Sequence, residues 1–178
     1  MNTPKKTLIP FLFALGFILT TVISCSSSTN PPNPPTGTTG LIVSVVTSSA
    51  GGGYAPKHVV AIWIEDNAGK FIKTLTVYAQ ARAYDLTNWE NSSAGNSVDA
   101  VTGATQSSFG TIYGSWNGTD VSGKVVADGT YKVCMELTDK SSTGNFASFT
   151  FTKGTVAQTQ TPANVTSFSS VSIKWMPL

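Results

Sequence analysis

The stretch Thr130-Tyr131-Lys132-Val133-Cys134-Met135-Glu136-Leu137-Thr138-Asp139 decides the fold. Tyr131, Val133, Met135 and Leu137 fall on one face, and Lys132, Cys134, Glu136 and Thr138 on the other. That period of two is the mark of a β-strand with one side against a core. Working outward, sequence of the same kind recurs. His58 to Glu65 places Val60, Ile62 and Ile64 on one face and Val59, Ala61 and Trp63 on the other; the turn Asp66-Asn67-Ala68-Gly69-Lys70 leads into a returning strand, Phe71 to Tyr78. Leu41 to Thr47 precedes them, and Phe109 to Trp116, Phe146 to Thr152 and Ser167 to Met176 follow. Polar or glycine-rich loops at Ser48–Tyr54, Trp116–Gly123, Lys124–Gly129 and Gln158–Asn164 separate them. About seven short strands with Gly and Asn turns predict an all-β antiparallel sandwich. Only Ala79 to Trp89, rich in alanine, predicts one or two turns of helix.

Ahead of the strands lie two segments of different character. Lys5 and Lys6 precede an apolar run from Leu8 to Ile23, which ends in Val22-Ile23-Ser24-Cys25. A basic start, a short apolar run and a small residue describe a secretory signal; an uncleaved anchor with an incidental cysteine would call for a longer run. The cysteine directly after the small residue resembles a bacterial lipoprotein signal. That resemblance implies cleavage before Cys25, diacylglycerol on its sulfur and an acyl chain on its amine. The expected organisation is a signal peptide over 1–24, lipidated Cys25 and a Pro/Ser/Thr-rich tether over 25–40, and a β-sandwich domain over 41–178. The tether's prolines favour extended backbone, lifting the domain on the order of 40 Å from the membrane. The expected address is the bacterial cell envelope, facing the periplasm or on the cell surface.

Charge and residue counts exclude several classes of function. The chain has 11 basic and 9 acidic residues, but Lys5 and Lys6 would leave with the signal, so the mature protein is neutral. It has no basic stripe, and nucleic acid is not an expected partner. With Cys25 acylated, Cys134 has no intramolecular partner; in its apolar strand it reads as a small buried hydrophobe. His58 is the only histidine, which argues against sites of several histidines and against hydrolytic triads.

Between the strand blocks lies Asp99-Ala100-Val101-Thr102-Gly103-Ala104-Thr105. An acid, two spacers and then Thr-Gly-Ala-Thr resembles the acceptor motif of flavin transferases, which join flavin mononucleotide (FMN) to a threonine hydroxyl through a phosphoester. The resemblance implies that Thr105 carries the flavin and that Asp99, Thr102, Gly103 and Ala104 belong to the recognised segment. A hydroxyl that another enzyme must reach belongs on an exposed loop. Gly103 is expected to supply backbone freedom, and Ala104 to keep bulk from the reacting oxygen. The same residues also suit an ordinary capped turn. Gln106-Ser107-Ser108 stands where the acceptor pattern commonly carries an arginine and a proline.

A wider resemblance rests on Trp116-Asn117-Gly118-Thr119-Asp120 with Gly123, Val126, Gly129 and Tyr131, which is similar to the hairpin signature of the immunoglobulin-like domain of the flagellar hook-capping protein. Together with Tyr54-Ala55-Pro56, Trp63-Ile64-Glu65, Lys73-Thr74-Leu75, Trp89 and the Asp99–Thr105 stretch, in that order, the chain resembles the predicted periplasmic family called domain of unknown function 2271. This implies an immunoglobulin-like sandwich in the envelope, with a flavin transferase and a membrane redox protein as partners if Thr105 is modified.

The other chemistry-bearing residues have competing roles. Trp63 and Trp116 suit a sandwich core, whereas Trp89 is the expected exposed stacking partner; Tyr54 and Tyr84 suit either that surface or simple packing. Glu65 and Glu136 suit outward strand faces better than an acid–base pair. Asn117, Thr119, Asp120 and Asp128 do not match a calcium loop in spacing. The expected function is a lipid-anchored carrier of covalent FMN in extracytoplasmic electron transfer. The alternative is a structural, protein-binding or glycan-binding envelope module without cofactor. On either account the chain is a carrier or binder rather than a catalyst.

Overall fold

A computed structural model describes residues 35–37 and 39–178. The signal segment, Cys25 and the tether as far as residue 34 lie outside them. Among the described residues nine strands form two sheets: β1 Gly40–Thr47, β2 Val59–Asp66, β3 Phe71–Tyr78, β4 Val101–Gly103, β5 Thr111–Trp116, β6 Gly129–Thr138, β7 Asn145–Lys153, β8 Gln158–Gln160 and β9 Phe168–Met176. One sheet runs β5-β1-β9-β8, the other β4-β3-β2-β6-β7. All neighbours are antiparallel except β3 and β4. The expected all-β sandwich is what the chain adopts.

The decisive strand behaves as its alternation requires. Tyr131, Val133, Met135 and Leu137 of β6 join Val43, Ile62, Phe151, Ile173 and Trp175 in the core between the sheets. Trp116 lies there too, packed against Tyr131 at 5.3 Å between ring centroids. Gly114 of β5 keeps the sheets close, because a Cβ there would meet Leu75 at 3.1 Å.

The other face of the larger sheet is not turned to water. Val59, Ala61, Trp63, Val77 and Cys134 form a second core with Leu86 and Trp89. Its cover is the crossover between β3 and β4, which carries a short 3₁₀ turn, Ala83–Asp85, and a helix α1, Thr87–Ser93. A parallel neighbour needs such a crossover. The helix expected over Ala79–Trp89 is therefore displaced toward the C-terminus. Alanine propensity yields to packing: Arg82 takes a left-handed φ of 67°, and helix forms where Leu86, Trp89 and Ser93 can be buried.

Two acids fix this cover, and Glu136 corrects the expectation of an outward face whereas Glu65 stays half-buried. Glu136 is fully buried, not on an outward face. Its carboxylate accepts the Trp89 backbone N–H at 2.9 Å and the Asn88 side-chain N–H at 2.8 Å. Leu86, at the N-cap position, has no side-chain acceptor, so Glu136 caps α1 from a neighbouring strand. Glu65 accepts the Trp63 indole N–H at 2.8 Å and the Ser92 hydroxyl at 2.7 Å, tying the far end of α1 to β2. Both serve as anchors.

A bulge in β3 allows its residues to serve both cores. Ile62 pairs with Thr76 and Trp63 with Thr74, leaving Leu75 as the extra residue. Thr74 accordingly meets Trp89, whereas Leu75 joins the inter-sheet core and Thr76 donates to the Tyr113 carbonyl at 2.7 Å. Burial also pushes the Cys134 thiol up to about 12, so it is the inert hydrophobe its sequence context predicts.

Replacing Glu136 by leucine strands the buried Trp89 N–H and the half-buried Asn88 amide, and unfolding free energy should fall by about 2–3 kcal/mol. Urea titration followed by tryptophan fluorescence measures this; an unchanged midpoint would show that α1 does not depend on the cap.

Candidate functional site

The acceptor-like segment does not hang free. Val101, Thr102 and Gly103 pair in parallel with Thr76, Val77 and Tyr78, making β4 the edge of the larger sheet. Three residues beyond Gly103, the Gln106 N–H donates to the His58 carbonyl at 2.9 Å and the His58 N–H to the Gln106 carbonyl at 3.0 Å. Ala104 and Thr105 span the gap between these fastenings. Ala104 is exposed and Thr105 half-buried. The Thr105 hydroxyl donates to the Ala81 carbonyl at 3.3 Å, a long bond that a competing partner can displace.

Gly103 matters here for a different reason from the expected one. Its φ is not among the positive values; what it lacks is a Cβ, which would stand 2.9 Å from the Tyr78 ring. The segment can hug the end of β3 only because that atom is missing.

Beside the segment lies a cavity of about 540 Å³. Val77, Ala79, Ala83 and Trp89 give it apolar walls, while Gln80 and Ser97 add polar groups. The backbone from Thr102 to Ala104 closes one side, so Thr105 follows directly on the wall. Trp89 was expected to be an exposed stacking partner. Instead it is 3% exposed, with its indole N–H donated to Thr74 Oγ1 at 3.0 Å, because the second core needs its area. It still lines the cavity.

The remaining candidates are dispersed. Trp63 and Trp116 are core residues, as expected. Tyr84 is 72% exposed. Tyr54 lies under the Arg82 guanidinium, 4.4 Å from ring centroid to Cζ, and its hydroxyl meets Ser141 at 2.9 Å. Asp120 accepts from the Ser122 and Lys124 amides and so closes its own turn. Among the described residues no three His, Cys, Asp or Glu side chains converge as a metal site.

Several residues around the site carry no signal in the sequence. Arg82 donates to the Lys140 carbonyl at 2.8 Å and pairs with buried Asp85 at 3.6 Å, holding the turn after β3 in place. Asp139, fully buried, accepts the Ala50 N–H at 3.2 Å and the Gly52 N–H at 2.8 Å, folding the glycine loop inward. His58 is fully buried and stacked on Phe109 at 4.7 Å; its Nδ1 bonds the Pro56 carbonyl. Apart from the Arg82–Asp85 pair, three positions apart, no pattern of spacing marks these residues, since their other partners are 50 or more positions away or on backbone.

Fold and site together define a two-sheet β-sandwich that presents a pinned loop beside an apolar cavity. The chain belongs to the family described as predicted periplasmic protein, domain of unknown function 2271, whose sequence profile matches residues 43–167. Asp99 through Thr105 lie within that match, and the family's predicted address is the periplasm. No curated protein and no solved structure matches the chain.

Burial lowers the proton affinity of His58, with nearby Arg82 acting in the same direction and the Pro56 carbonyl and Asp139 opposing. The folded state therefore holds His58 neutral while the unfolded chain takes up a proton below about pH 6.5. Stability conferred by this residue is present above that pH and is lost as pH falls below it. Unfolding free energy measured from pH 7.5 to 5 should decline, and His58→Phe should flatten the decline; an unaltered slope would assign it to other groups.

Proposed function

We propose that this protein is a lipid-anchored flavin carrier of the cell envelope, with FMN on Thr105 and acyl chains on Cys25. The supporting observation is the juxtaposition at the β4 edge. An accessible hydroxyl, held only by a long bond to a backbone carbonyl, follows the wall of a cavity of about 540 Å³. That volume lies within the roughly 300–1,000 Å³ common for cofactor sites, and apolar walls with a few polar groups suit a flat aromatic ring with amide edges. Val77, Ala79, Ala83 and Trp89 would face the ring, with Gln80 and Ser97 available to its polar rim.

Modification by a flavin transferase uses flavin adenine dinucleotide. Thr105 Oγ1 forms the phosphoester bond to the flavin-side phosphorus and gives its proton to a base of the transferase. The pyrophosphate bond breaks and adenosine monophosphate leaves. Bound flavin supplies reversible electron transfer. This chain's residues hold it: β4 sets the attachment point, and the second core keeps the cavity floor rigid. A membrane redox protein would exchange electrons with it.

The exposed ring of Tyr84 favours a second function, a binding module for envelope proteins or glycans. The two differ in a single measurement. Incubated with a flavin transferase, flavin adenine dinucleotide and magnesium, the wild type should give a fluorescent gel band and gain the mass of one FMN less water. Thr105→Ala should abolish both and Thr105→Ser should keep them. A wild type left unmodified while a control substrate is labelled overturns the flavin function and leaves the binding module.

A further inference from the structure

The acid of the acceptor motif has a partner that its sequence position conceals. Lys73 of β3 has a side chain only 7% exposed, and an ammonium so far from water needs compensating groups. It finds two. Asp99 Oδ2 lies at 3.1 Å and Thr119 Oγ1 at 3.4 Å. Thr119 is itself fixed, its hydroxyl donating to Asn117 Oδ1 at 2.7 Å while its carbonyl accepts the Trp116 indole N–H at 2.7 Å. Lys73 is therefore a fixed post at the edge of the inter-sheet core. Asp99, 69% exposed, is the member that comes from a loop.

Asp99 stands at a left-handed φ of 56° in a turn where the Ala100 N–H donates to the Ser97 carbonyl at 3.0 Å. The backbone leaves that turn directly into Val101, the first residue paired with β3. The tie to Lys73 thus fastens the chain two residues ahead of the point where β4 begins.

Resting on the flavin function above, we infer that Asp99 is a positioning residue: its carboxylate, held by buried Lys73, sets the register of β4 and so the presentation of Thr105. The motif's acid acts on its own chain first, rather than as a group that the transferase must touch. Lys73 then belongs to the acceptor apparatus although it lies 26 positions upstream of Asp99.

The two alternatives diverge when Lys73 is changed and Asp99 kept. Lys73→Met preserves length and burial without charge. Asp99→Asn preserves shape and tolerates a left-handed turn. Initial rates of FMN transfer to the full-length protein, with purified transferase and flavin adenine dinucleotide, should fall at least tenfold in each variant, and the double variant should be no worse than the weaker single. Hydrogen exchange at the Val101–Gly103 amides, without transferase, should speed up at least tenfold in both, whereas Thr105→Ala leaves it unchanged. Transfer to Lys73→Met at the wild-type rate, with Asp99→Asn inactive, would overturn the inference and make Asp99 a direct recognition group. Unchanged exchange in Lys73→Met would overturn it equally, and this variant decides if Asp99→Asn does not fold. A wild type that takes no flavin defeats the carrier function alone; the exchange comparison still decides whether the pair fixes β4.

Discussion

Glu136 has no contact with water, and its carboxyl group is met by the Trp89 backbone N–H and the Asn88 side-chain amide of a helix from another part of the chain. Much of the molecule depends on that capping bond. It obliges α1 to lie on the outer face of the larger sheet, where Trp89, Leu86 and the backs of β2 and β6 can be buried together. A seven-residue helix would not persist alone. Packing and a borrowed cap hold it, and Glu65 through Ser92 secures its other end.

The site follows from where that cover ends. The crossover must return to the sheet, and it returns beside β3, so that Val101–Gly103 add a short parallel edge. Between the covering segment and this edge a cavity remains, because the 3₁₀ turn and α1 roof the sheet without closing over Val77 and Ala79. Thr105 sits just past the edge strand, held on one side by Gly103 against Tyr78 and on the other by the backbone pairing of Gln106 with His58. A loop fastened at both ends presents its hydroxyl in a narrow range of positions. On the function proposed above, such preorganisation would lower the ordering cost of the attack by Thr105.

Buried ionisable groups recur around this edge, and each is matched to something specific. Asp139 gathers the glycine loop; Arg82 spans Tyr54, Asp85 and the Lys140 carbonyl; Lys73 joins Asp99 to the Thr119 turn. In a neutral domain these pairs do not create a long-range field. They act locally, as ties between loops that the strands alone would leave loose. The domain thus resembles a rigid frame with its polar groups spent on holding connections.

The sequence alone determined the two-sheet β class, because a period of two in Thr130–Asp139 and its counterparts can satisfy a core only as strands. It also marked the loop from Asp99 to Thr105 and the inert setting of Cys134. Trp63 and Trp116 were legible as core for the same reason. Tertiary structure decided the rest. Alternation shows that β6 has two faces but not that both are covered, so Glu136 reads as outward and Trp89 as exposed, whereas α1 covers the first and carries the second into the outer core. The bulge at Leu75, which turns Thr74 to one core and Thr76 to the other, leaves no trace in composition. Nor does the bond from Lys73 to Asp99, since sequence records what each residue is, while a salt bridge depends on where a strand and a distant loop bring them to rest.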